Sequence, residues 1–243
     1  MRYSPAPMLD ISKIRAITLD LDDTLWPIWP TIAKAESTLA AWLVQRAPVA
    51  AALVADAETR LALREHVVRT RPEMAHDMSF QRRELIRLAL QRSNEDTRLA
   101  EPAFEVFLAQ RMKVEFYADA LPALVFLAQR FPLVAVSNGN ADVARVGIGS
   151  HFHASVSAHE LGVGKPDPRI FHAAAGTAGV AADEVLHVGD DAALDVLGAL
   201  GAGMQTVWVN RSDDAWTHDR EPHETVASLN ELCELLGAAP VRR

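Results

Sequence analysis

Four short polar stretches, each at the end of an apolar run, carry the residue types best suited to chemistry. The first is Asp20-Leu21-Asp22-Asp23-Thr24. Side chains alternate along a strand, so Asp20 and Asp22 can point the same way from its tip. Two carboxylates held close invite a cation between them; the same residues also make an acidic helix-capping turn. The second is Ser137-Asn138-Gly139-Asn140. A hydroxyl, an amide and backbone N–H groups beside a glycine form a phosphate cradle, or an ordinary strand-to-helix turn. The third, Gly164-Lys165-Pro166-Asp167-Pro168, fixes a lysine between glycine and proline just before a helix. There it would balance charge at a reacting centre, or serve as a plain loop lysine. The fourth is Val188-Gly189-Asp190-Asp191, with Asp195 one helical turn beyond Asp191. Three carboxylates with water and a phosphate oxygen make the all-oxygen shell that magnesium prefers. Asp195 can orient that site or pair with Lys165, and Asp190 or Asp191 can instead cap the next helix.

These stretches need a scaffold that brings their ends together. Apolar runs at 14–21, 133–137, 154–157, 185–189 and 205–209 predict strands. Helical spacing at 121–130, 141–147, 169–178, 194–200 and 225–236 predicts helices between them. Such alternation implies an α/β fold, Rossmann-like, with a mostly parallel sheet and helices on both faces. Between Trp29 and Glu115 the chain is rich in Ala, Leu, Arg and Glu, with breaks near Pro48, Pro72 and Ser93. That segment predicts roughly four helices of a small bundle. The expected division is an α/β core of residues 1–27 and 117–243, with a helical insertion of 28–116 after the first strand. Ligands of open α/β sheets bind at the strands' carboxyl ends, so an insertion there would roof the site.

The bulk composition narrows the function classes. The chain has 243 residues and a formal net charge of -8, which excludes the basic footprint of a nucleic-acid binder. Its one cysteine, Cys233, allows no intramolecular disulfide and reads as a small core residue. No apolar run approaches the ~20 residues of a membrane span, and Met1–Lys13 lacks an apolar stretch bounded by a cleavage site. A cytoplasmic protein without membrane partner is expected, as monomer or homodimer.

Taken together, the four stretches resemble the motifs of the haloacid dehalogenase superfamily, over essentially the whole chain. The resemblance implies a magnesium-dependent phosphatase of small phosphate monoesters with an inserted helical cap. It implies Asp20 as nucleophile and Asp22 as general acid/base. Thr24, Ser137 and Asn138 would position the phosphoryl group, with Lys165 stabilising it. Magnesium would be held by Asp20, Asp190 and the Asp22 carbonyl, and supported by Asp191 and Asp195. Halide-removing members resemble this pattern without the second aspartate, so the presence of Asp22 points away from dehalogenation.

Further stretches, Ser137–Asn140, His187–Asp191, Gly203–Gln205 and Pro72–Asp77, resemble the bacterial riboflavin-pathway branch. That branch acts on 5-amino-6-(5-phospho-D-ribitylamino)uracil and on flavin mononucleotide. Trp26-Pro27-Ile28-Trp29-Pro30 departs from it, and its tryptophans either pack at the junction or stack on a heterocycle. His76 and Asp77 either face the site or form a helix cap. Arg82, Arg83 and Arg87 read as a solvated helix face. The alternatives are a generalist, sugar, nucleotide or phosphoglycolate phosphatase, a phosphomutase, or a catalytically silent interaction module.

Overall fold

The computed structural model describes residues 8–237. The N-terminal part of the leader reading, residues 1–7, lies outside them. Two compact units emerge. One comprises the chain up to Pro27, Phe116–Gly139 and the chain from Val143 on; the other comprises Ile28–Glu115 with Asn140–Asp142.

The first unit is an α/β layer structure. Its strands are β1 (Ala16–Leu19), β2 (Leu133–Ser137), β3 (Ala154–Ser157), β4 (Val185–Gly189), β5 (Gln205–Val209) and β6 (Glu224–Val226). All five strand pairings are parallel, in the order β3-β2-β1-β4-β5-β6. The inner strands are buried along their whole length, as parallel strands covered on both faces must be. Alternate residues Ala16, Val134, Val136, Val185 and Met204 share one apolar cluster with Ile170, Phe171 and Ala174. Those three belong to the helix Pro168–Ala178. Residues of the opposite parity, Ile17, Leu19, Leu186 and Val188, have no exposed surface either, so the second face is covered too.

The closing helix differs from expectation. Glu224–Val226 is an edge strand, and the helix spans Leu229–Gly237. Ser228 caps it, its Oγ accepting the Glu231 N–H (3.3 Å), while Glu231 accepts the Ala227 N–H (2.8 Å). That Ser-x-x-Glu pair is a helix-start signal within the sequence. The β-branched Thr225 and Val226 ahead of it suit a pleated edge. The predicted helix 141–147 is shorter, Val143–Val146.

The second unit is all helical: α1 (Ile28–Arg46), α2 (Pro48–Ala55), α3 (Ala57–Thr70), α4 (Met78–Arg92) and α5 (Ala100–Arg111). The additional helix over the expected four arises at Asp56, whose Oδ2 accepts the Thr59 N–H (2.8 Å) and so restarts the chain as α3. Leu39, Leu43, Leu63, Ile86, Phe104 and Phe107 are among the residues of its own core. Arg82 and Arg83 are not a solvated face. They stack on Phe107 and Phe104 at 4.1 and 4.7 Å, and Arg82 pairs with Glu36. Asp77 is the N-cap of α4, accepting from Phe80 N–H (2.8 Å). No helix among the described residues is long and apolar enough to cross a membrane.

Phe171 has no exposed surface and packs against the backbone at Gly198. Phe171→Ala is expected to cost about 3–5 kcal/mol through the cavity it leaves. Denaturant unfolding followed by tryptophan fluorescence measures this.

Candidate active site

Strand order places the chemistry. From β1 the chain first builds outward through β2 and β3, then returns to add β4, β5 and β6 on the other side. The reversal falls between β1 and β4, the crevice where open parallel sheets bind ligands. Asp20 follows β1, and its N–H continues the ladder to Val188 C=O (2.9 Å). Asp190 follows β4 directly. Thr18 and His187 face each other in register, and Asp20 shares the parity of Thr18, so these side chains lie on one face of the sheet.

There they meet a buried cation. Lys165 Nζ bonds Asp20 Oδ1 and Asp195 Oδ1, the latter at 2.6 Å. Side-chain exposure is 3% for Lys165, 9% for Asp20 and 2% for Asp195, so the charges are largely removed from water. Asp195 Oδ1 also lies 3.1 Å from His187 Nε2, and its Oδ2 accepts the Asp191 N–H at 3.1 Å. His187 Nδ1 is 2.8 Å from Thr18 Oγ1. An ionised Asp195 only accepts, so His187 donates from Nε2 and accepts the Thr18 hydroxyl at Nδ1.

The electrostatics follow from burial and neighbours. Burial raises the Asp20 carboxyl well above its ordinary value; Lys165 opposes this, and Asp195 and Asp190 add to it. Asp190 is pushed up to about 7, first by burial and then by Asp195. Burial acts in the same sense on Asp195, but Lys165 and the His187 hydrogen bond outweigh it and hold Asp195 low. Burial weakens the Lys165 ammonium, yet Asp195 and Asp20 raise it overall. Burial lowers His187 and keeps it neutral.

Other residues hold this cluster in place. Thr24 is fully buried; its hydroxyl donates to Asp190 Oδ1 (2.8 Å) and lies 3.4 Å from Asp20 Oδ2. Asn138 pairs in both directions with the Lys165 backbone, donating to its carbonyl (2.8 Å) and accepting its N–H (2.7 Å). Ser137 accepts the Gly139 N–H (2.9 Å), which leaves its hydroxyl hydrogen to donate. Asp191 caps the helical segment Ala192–Leu197, accepting from Ala193 and Leu194 N–H, both at 2.8 Å. Glycine makes room at two points of the site: a Cβ on Gly164 would overlap Asn138 Oδ1, and one on Gly189 would overlap the Asp195 carboxylate.

Comparison with known proteins agrees with this geometry. A family model described as haloacid dehalogenase-like hydrolase matches residues 14–203. The chain belongs to that family. It is 30% identical to the 5-amino-6-(5-phospho-D-ribitylamino)uracil phosphatase YigB of Escherichia coli, over 93% of this chain and 98% of that one. It is 33% identical to a glyceraldehyde 3-phosphate phosphatase of Methanopyrus kandleri, over 82% of this chain and 84% of that one. Among solved structures, a 2-haloacid dehalogenase from Pseudomonas syringae superposes with a TM-score of 0.88 at 38% identity. It covers 93% of this chain and 99% of its own.

Within this family member, three carboxylates converge: oxygens of Asp20, Asp190 and Asp195 all lie within 4.8 Å of one another. Hydrolases of the family generally use a divalent metal, and an all-oxygen acidic set with two raised carboxyls fits one. Asp195 is the weakest candidate ligand of the three, because Lys165, His187 and the Asp191 N–H already occupy its oxygens. Asp22 is not in the group. Strand alternation gives Asp20 and Asp22 a common direction only if β1 continues past Leu19, but the strand ends there and the chain turns, with Asp23 at φ +58°. Asp22 Oδ1 instead accepts the Trp26 indole N–H (2.8 Å).

Trp26 has no exposed surface on which a heterocycle could stack; Trp29, in the helical unit, is 75% exposed. Sequence reading missed Thr18, His187 and Trp208, whose Nε1 donates to the Asp190 carbonyl (2.7 Å). A His and a Trp inside apolar strands were the available signal. Cys233 is only half-buried, and burial pushes its thiol up to about 11, away from reactivity.

Gly189→Ala should displace Asp195 from Lys165 and lower kcat/KM by about 10²-fold, read in a steady-state hydrolysis assay. For Asp190, a folded value of about 7 against 3.8 unfolded means that the folded state holds more protons between those values. Stability of the metal-free protein therefore falls as pH rises through that window. Asp190→Asn removes the dependence: between pH 5 and 7 in EDTA, wild-type Tm should fall by several degrees more than the variant's, by calorimetry.

Proposed function

We propose that the protein is a magnesium-dependent phosphomonoester hydrolase working through an aspartyl-phosphate on Asp20. The observation that carries this reading is the Asp20–Lys165–Asp195 cluster set beside Asp190 at the β1/β4 reversal. Asp20 attacks phosphorus as its P–O ester bond breaks, and Asp22 gives its proton to the departing oxygen. Water then attacks the aspartyl-phosphate, Asp22 takes the water's proton, and Asp20 is regenerated as phosphate leaves. Lys165 and the Ser137 hydroxyl offset charge on the equatorial oxygens. Asn138 acts by fixing the Lys165 backbone, and Thr24 by tying Asp190 to Asp20. A magnesium ion held by Asp20, Asp190 and the Asp22 carbonyl would supply Lewis-acid charge.

The favoured substrate is a ribityl phosphate bearing a heterocycle, on the strength of the similarity to YigB over nearly the whole of both chains. The helical unit would act as a cap. The P. syringae neighbour favours a second reading, dehalogenation, against which Asp22 stands because halide departs without a proton. Phosphate and halide release are measured over a panel of phosphomonoesters and 2-haloacids, with magnesium or EDTA. The expected result is magnesium-dependent phosphate release, highest on ribityl phosphates, and no halide. Asp20→Asn should lower phosphate release about 10³-fold or more. Halide release without phosphatase activity would overturn the proposal.

A further inference from the structure

We infer that Trp26 is a positioning residue for Asp22: its indole N–H engages Asp22 Oδ1 and confines the catalytic proton to Oδ2. The inference rests on the reading of Asp22 as general acid/base and adds the group that aims it. Trp26 Nε1 donates to Asp22 Oδ1 at 2.8 Å. An indole N–H is a donor only, so the oxygen it binds keeps its lone pair on that side. A protonated Asp22 in this geometry has Oδ1 as its carbonyl oxygen and carries the hydrogen on Oδ2.

The indole is held from several directions. Trp26 has no exposed surface and meets Phe116 edge-on, with centroids 5.5 Å apart and planes at 80°. Its carbonyl accepts the Asp23 N–H (2.8 Å), closing the turn from Asp22 to Trp26 across Asp23 at φ +58°. Tyr117 N–H bonds the neighbouring Leu25 carbonyl (3.0 Å). The donor and the carboxylate thus sit at the two ends of one closed loop. Asp22 lies outside the Asp20–Asp190–Asp195 group, and the buried indole is a fixed donor to its Oδ1. The contact orients the acid/base without adding a charge.

The test is the dependence of kcat/KM on leaving-group basicity across p-nitrophenyl, phenyl and p-methoxyphenyl phosphates. A nitrophenolate leaves without a proton, whereas more basic phenolates need one. Trp26→Phe keeps a ring against Phe116 but lacks the N–H. It is expected to lose about tenfold on p-methoxyphenyl phosphate, the worth of one charge-assisted hydrogen bond, and less than about twofold on p-nitrophenyl phosphate. Its slope should lie between those of wild type and Asp22→Asn. Replacing tryptophan biosynthetically by 3-benzothienylalanine, which exchanges N–H for sulfur at nearly equal size, gives the same comparison if the Phe variant does not fold. An equal loss on all three esters, or none, overturns the inference while leaving the phosphatase reading intact. Absence of wild-type hydrolysis on every ester removes both.

Discussion

Burying Asp20 and Asp195 around one cation, with a half-buried Asp190 beside them, is the constraint on which the rest of the site depends. An isolated charge of this kind, taken out of water, is too costly to persist. Lys165 compensates two of the carboxylates at once, and Asp195 is further satisfied by a neutral histidine and a backbone N–H. Asp190 is left with a hydroxyl partner and a raised carboxyl. The result is an electrostatic imbalance at the end of β1 that a divalent cation and a phosphate can resolve together.

That imbalance is held by backbone architecture. The Lys165 loop is tied to the end of β2 through Asn138, and the Asp190 loop to the end of β5 through Trp208. Gly164 leaves room for the Asn138 amide of the first tie, and Gly189 leaves room for the Asp195 carboxylate. Arg211, beyond β5, stacks over Tyr117 at 4.0 Å, bonds Asp119 with both terminal nitrogens and donates to the Thr24 carbonyl (3.0 Å). Strands β1, β2, β4 and β5 therefore each deliver or brace one part of the site. Moving any one of them would shift a charge that has no water to screen it.

Much of this was legible in the sequence, for a specific reason. Buried parallel strands are short apolar runs that stop abruptly, so the functional residues appear as polar clusters at those stops. Thus β2, β3, β4 and β5 were read at their observed bounds, and Asp20, Lys165, Asp190 and Asp195 are brought together. What escaped depends on information that a linear pattern lacks. The Thr18–His187 pair requires the β1/β4 register, and the Asn138–Lys165 pairing spans 27 positions. The position of Asp22 depends on where β1 ends, and strand alternation stops predicting directions once the chain turns. The edge strand β6 has only three residues, too few for a periodic signal beside a strong helix.

The most direct test of the account is to trap the covalent intermediate. Protein mixed with phosphate-labelled substrate and magnesium would be acid-quenched within one turnover and divided, one portion exposed to hydroxylamine and the other reduced with borohydride and digested. The expected result is label labile to hydroxylamine in the first portion and a reduced residue at Asp20 in the second, both lost in Asp20→Asn. Hydrolysis that proceeds with no covalent label, or with label on another residue, would contradict it.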